Sequence, residues 1–73
     1  MESVEISTPY IQLDQLLKLV GAVETGGQVR WLIEEGVIFV NGVAATERRK
    51  KLYPGDKVEI PENGRWQVVA AEA

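Results

Sequence analysis

Cysteine and histidine are both absent from this 73-residue chain. Without cysteine, no disulfide can reinforce a domain so short that folding buries only about 60% of its unfolded surface. Without either residue, thiolate and imidazole zinc sites are excluded, and so are the usual nucleophile and general base of chemistry near neutral pH. Carboxylates remain, but none is spaced like a cation-binding loop. Asp14, Glu34 and Glu35 offer no acid–base pair, because adjacent Glu34 and Glu35 on a helix point about 100° apart. Long apolar runs are missing too: nothing approaches the roughly 20 residues of a membrane span. The start, Met1-Glu2-Ser3, has neither the basic nor the apolar region of a signal peptide. The expectation is a cytoplasmic, monomeric binding module rather than an enzyme, with no metal, cofactor, membrane or small-molecule substrate.

What is present is a folded domain's balance of residues, 45% hydrophobic and 26% charged, rather than that of a disordered tail. The net charge of −3 would argue against a polyanionic partner, but the charge is segregated. Residues 1–29 carry −3 and residues 58–73 carry −2, whereas residues 30–57 carry +2. Half of the eight cations stand in one run, Arg48-Arg49-Lys50-Lys51. Screening cuts interactions beyond about 8 Å at physiological salt, so a polyanion responds to this local potential more than to the net charge.

No repeat or linker divides the chain, and residues 1–73 read as one domain. Leu13, Leu16, Leu17 and Val20 stand at i, i+3, i+4 and i+7, the apolar face of a helix that Asp14 is expected to cap and Gly21 to stop. Thr25 and Gln28 have capping-box spacing. Val29, Leu32 and Ile33 then repeat the helical face up to Gly36. Helices this short need a packing partner. Val37-Ile38-Phe39-Val40 reads as a strand running into the hairpin signal Asn41-Gly42, with Val43-Ala44-Ala45 returning. The basic run then falls in an exposed connection. Tyr53-Pro54-Gly55-Asp56 is a type II turn, Lys57-Val58-Glu59-Ile60 alternates as a half-buried strand does, and residues 66–70 supply the last strand. Residues 4–6 or 10–11 can add an N-terminal strand, with Pro9 breaking between them. Phe39 and Trp66 are assigned to the core. The fold class is α+β: two short helices packed on a small, mostly antiparallel sheet.

In order, Gln12-Leu13-Asp14, Gly21, residues 25–30, Ile33, Gly36, Val40-Asn41-Gly42 and Pro54-Gly55-Asp56-Lys57-Val58 resemble the S4 RNA-binding domain. Its helix–helix–hairpin unit is called the αL motif. The resemblance spans residues 12–60, and it is the ordered set that is specific, since V-N-G and P-G-D occur singly in many β domains. The run from Arg48 to Asp56 is similar to that of the small stand-alone bacterial members of the YaaA/YbcJ type, in which the domain is nearly the whole protein. The resemblance implies a non-catalytic protein holding structured or ribosomal RNA through phosphate contacts from a basic face. Two positions that are often cationic in the family hold Gln12 and Gly26 here, which moves the electrostatic weight onto residues 48–51.

The candidate RNA-binding residues are Arg30, Arg48, Arg49, Lys50, Lys51, Thr25, Gly26, Gly27 and Trp31. The cations would neutralise phosphates and release counterions, the plain alternative being a solvated loop. All five are expected on one face, with Lys18 at its margin. The Thr25-Gly26-Gly27 start leaves backbone N–H groups at the positive end of a helix dipole, the alternative being a capping box that consumes them. It is not a P-loop, because no Lys-Ser/Thr follows. Trp31 lies about 200° around the helix from Val29, off the apolar stripe, and either stacks on a base or packs over the sheet. Tyr53 either stacks or braces its turn.

A protein-interaction adaptor of the same fold is the alternative function, motivated by the net negative charge. Ubiquitin-like sulfur carriers share P-G-D-x-V but end in Gly-Gly. The ending Ala70-Ala71-Glu72-Ala73 leaves carrier chemistry unexpected.

Overall fold

The computed structural model describes residues 1–71. The leucine spacing forms α1 (Leu13–Leu19), which presents Leu13, Leu16 and Leu17, all fully buried, to the core. Its N-cap is Gln12 rather than the expected Asp14, which lies in the first turn with its Oδ1 accepting from the Gln15 N–H at 2.9 Å. The reason is tertiary. The N–H groups of Leu13 and Asp14 donate to the carbonyls of Lys50 and Arg48, both at 2.9 Å, so the first turn is capped by a distant loop. At the other end, the Gly21 N–H donates to the Lys18 carbonyl and the Ala22 N–H to the Leu17 carbonyl, the paired bonds of a Schellman closure.

The second helix, α2 (Gly26–Glu34), buries Val29 fully and packs Leu32 and Ile33 half-buried against the same core. It closes in the same way, with Gly36 N–H on the Ile33 carbonyl and Val37 N–H on the Leu32 carbonyl. Val37 is therefore part of the helix ending, and the strand expected over residues 37–40 contracts to Phe39–Val40.

Both N-terminal segments form strands: β1 (Glu2–Ile6) and β2 (Ile11–Gln12). After the helices come β3 (Phe39–Val40), β4 (Val43–Ala44), β5 (Lys51–Leu52), β6 (Lys57–Ile60) and β7 (Gly64–Ala70). The larger sheet has the order β1-β7-β6-β3-β4 and is antiparallel except for the first and last strands, which pair in parallel with Glu2 opposite Trp66. Strand alternation turns Val4, Ile6, Val58, Ile60, Trp66 and Val68 inward, into one apolar cluster with the α1 leucines and Val29. Trp66 is core, as expected. Phe39 stays half-buried, because alternation points it away from the face that buries Val40. The small second sheet pairs β2 with β5, Ile11 opposite Leu52 and Gln12 opposite Lys51. Lys51 is thus a strand residue, and only residues 48–50 of the basic run lie in the connection.

The two turn motifs grip each other. Asn41 (φ 51°) and Gly42 (φ 83°) take the left-handed conformations of a tight hairpin turn. The Asn41 Nδ2 donates to Asp56 Oδ1 at 3.1 Å, and its Oδ1 accepts from the Lys57 N–H at 2.9 Å. Asp56 Oδ2 in turn accepts from the Tyr53 N–H at 2.8 Å. The V-N-G and P-G-D signatures are thus halves of one clamp.

Candidate nucleic-acid interface

The start of α2 gathers the charge. Thr25 is its N-cap and completes the expected capping box. Its Oγ1 accepts from the Gln28 N–H at 3.3 Å, and Gln28 Oε1 accepts from the N–H groups of Thr25, at 3.1 Å, and of Glu24. The box serves the third helical N–H and two N–H groups before the helix. It leaves those of Gly26 and Gly27 without an intrahelical acceptor, at the positive end of the dipole. Both alternatives for this segment therefore coexist.

Two cations converge on this point. A Cβ placed on Gly26 would lie 3.4 Å from an Arg48 guanidinium nitrogen and 3.9 Å from Lys18 Nζ. Neither cation forms an ion pair among the described residues. Arg48 is delivered by the carbonyl contacts that tie its loop to the start of α1, and Lys18 by the last turn of α1. Lys18, expected at the margin of the basic face, thus shares the Gly26 position with Arg48. Nothing in the sequence brings residues 18, 26 and 48 together; only packing of the two helices and the loop does.

The remaining candidates divide. Arg30 lines a shallow depression with Ile33, Glu34, Thr46 and Arg48, which puts it on the Arg48 side. It is also ion-paired with Glu34 at 3.4 Å, a pairing of two exposed side chains of little energetic worth, which a phosphate can readily displace. Arg49 is exposed in the turn, and Lys50 faces a second depression beside the β3–β4 hairpin. The Lys51 Nζ sits over the Tyr10 ring, 4.8 Å from the centroid. Of the five cations expected on one face, Arg30 and Arg48 line one depression, with Lys18 close to Arg48 at Gly26, and Lys51 is the one held over Tyr10. Trp31 is 59% exposed, so packing over the sheet is not its role. Among the described residues no group of three or more histidine, cysteine, aspartate or glutamate side chains is placed to hold a metal ion, and no helix is long and apolar enough to cross a membrane.

Two short helices closed by glycine, a hairpin clamped to a following turn and a cationic helix start define a small α+β domain of the αL type. The S4 domain family model matches residues 4–69, and the chain belongs to that family. It is 41% identical over 66 residues to the probable ribosome maturation protein RlbA of Bacillus subtilis (strain 168), covering 90% of this chain and 93% of the relative. It is 40% identical over 62 residues to the putative RNA-binding protein YbcJ of Escherichia coli (strain K12), covering 85% of this chain and 87% of that one. The solution structure of YbcJ from E. coli, described as revealing an αL motif involved in RNA binding, matches with a TM-score of 0.71 at 35% identity. That match covers 96% of this chain and 89% of the other. The fold anticipated from the residue pattern is the fold of that YbcJ structure.

Proposed function

We propose that this protein is a non-catalytic RNA-binding protein that holds structured or ribosomal RNA through its phosphates at the start of α2. The observation that carries the reading is the meeting of Arg48 and Lys18 beside Gly26, with no carboxylate between them. Two like charges placed together on a net-negative chain cost energy unless an anion joins them, and open backbone N–H groups there suit a phosphate oxygen. Arg30, Arg49 and Lys50 extend the contact along the backbone, and exposed Trp31 offers a ring to an unpaired base. The names carried by the relatives, one a putative RNA-binding protein and one a probable ribosome maturation protein, support the same reading.

Salt dependence tests it. Four or five phosphate contacts predict a slope of log K against log salt of about −3 for a single strand and about −4 for a duplex, from roughly −0.7 and −0.9 per contact. The double variant Lys18→Ala/Arg48→Ala is expected to flatten this slope by about 1.4 to 1.8. Trp31→Ala is expected to weaken binding with the slope unchanged. A slope indifferent to the double substitution removes residues 18 and 48 from the interface, and no RNA binding at low salt favours the adaptor reading.

A further inference from the structure

We infer that Tyr53, Tyr10 and Lys51 form a second contact, separate from the α2 start: a platform on which one unpaired nucleobase of the bound RNA stacks. The inference rests on the RNA-binding reading above. Leu52 is fully buried, so its chain neighbours, Lys51 in β5 and Tyr53 just after it, turn to the open side of the small sheet. Ile11 lies opposite Leu52, which places Tyr10 across from Tyr53 on that same side. The two rings are 6.0 Å apart between centroids, inclined at 51°, and 36% and 49% exposed for Tyr10 and Tyr53. Lys51 Nζ takes one face of Tyr10. The more exposed Tyr53 ring is then the stacking surface, Tyr10 its wall, and Lys51 the cation for the adjoining phosphate.

A bracing role does not account for these rings. The turn that begins at Tyr53 is held by its own backbone bond from the Asp56 N–H and by the Asp56 and Asn41 side chains, with no use of the phenol. The backbone before β2 is held by the Thr8 hydroxyl donating to the Tyr10 carbonyl at 2.8 Å. Neither phenol oxygen has a hydrogen-bond partner among the described residues. Two solvated rings with a cation beside them are the elements of single-strand recognition, since every base has a face to stack and a phosphate to neutralise. The position is continuous with the cation group. Lys51 follows Arg48 by three residues, a span of at most about 10 Å, so one short strand reaches both.

The test uses two RNAs of identical stem, one blunt and one with a single-stranded tail, and reads binding by fluorescence anisotropy at one salt concentration. Tyr53→Leu keeps apolar bulk and charge but loses the ring. It is expected to lose about 5- to 150-fold in affinity for the tailed RNA and nothing for the blunt one, the range set by one base–aromatic stack. Tyr53→Phe is expected to bind both as the unaltered protein does. Tyr10→Leu, on the other strand, should show a smaller loss confined to the tailed RNA. Equal losses on the two RNAs, or none on the tailed one, overturn the platform while leaving phosphate binding intact. If the unaltered protein binds neither RNA, the RNA-binding reading fails and the platform with it.

Discussion

Replacing Leu16 by alanine is expected to cost about 2–5 kcal/mol, the range for deleting a buried leucine side chain and leaving a cavity. Leu16 has no exposed surface and lies on the face of α1 that meets the common core. A single core in a chain of this length rarely supplies more than about 3–5 kcal/mol in total. The substitution therefore removes much of the available stability. In a thermal melt followed by circular dichroism, the midpoint is expected to fall by about 10 °C or more, at roughly 4–8 °C per kcal/mol for a domain of this size. Ile33→Ala should cost clearly less. Its spacing suggests an equal core position, but the structure leaves Ile33 half-buried. Equal losses at the two positions would contradict this difference in burial.

Gly26→Glu is expected to move stability and RNA affinity in opposite directions. Gly26 is the first residue of α2, and its φ is not in the left-handed range, so a side chain is sterically admissible there. The closest atoms to its new Cβ are the tips of flexible side chains, Arg48 at 3.4 Å and Lys18 at 3.9 Å. Removing a helical glycine and placing an anion at the positive end of the dipole should together stabilise the fold by about 0.5–1 kcal/mol. The same carboxylate sits between the two cations and takes the place of a phosphate. Two charge-assisted contacts, each about tenfold or more in affinity, are then lost, so RNA binding should fall about a hundredfold. Melting and anisotropy on one protein preparation check both halves. A variant both more stable and fully RNA-competent would exclude this position from the interface.

The helices were legible because their signals are local. Four leucine and valine positions fix the face of α1, Thr25 and Gln28 fix the start of α2, and Gly21 and Gly36 end them. Asn41-Gly42 and Pro54-Gly55 announced their turns for the same reason. The errors arise where a distant segment decides. Asp14 looks like a cap, yet the helix begins one residue earlier, where carbonyls of residues 50 and 48 meet the N–H groups of Leu13 and Asp14. Val37 has a strand former's side chain, yet its N–H closes α2. The site follows the same rule. Trp31 was visible as an aromatic off the apolar stripe, and it is exposed. The partnership of Lys18 with Arg48, and that of Tyr10 with Tyr53 and Lys51, each join residues far apart in sequence, and no spacing in the chain encodes them.

Amides in the first turn of a helix ordinarily exchange their hydrogens with solvent quickly, because no helical carbonyl shields them. In α1 the first two are held by the basic loop instead. Their exchange requires the loop to lift away from the helix, since each opening breaks a bond to the Lys50 or Arg48 carbonyl. The protection of Leu13 and Asp14 therefore records how firmly Arg48 is seated. A ligand that clamps the loop slows these two amides although it touches neither, so the first turn of α1 serves as a built-in gauge of how firmly residues 48–50 are docked.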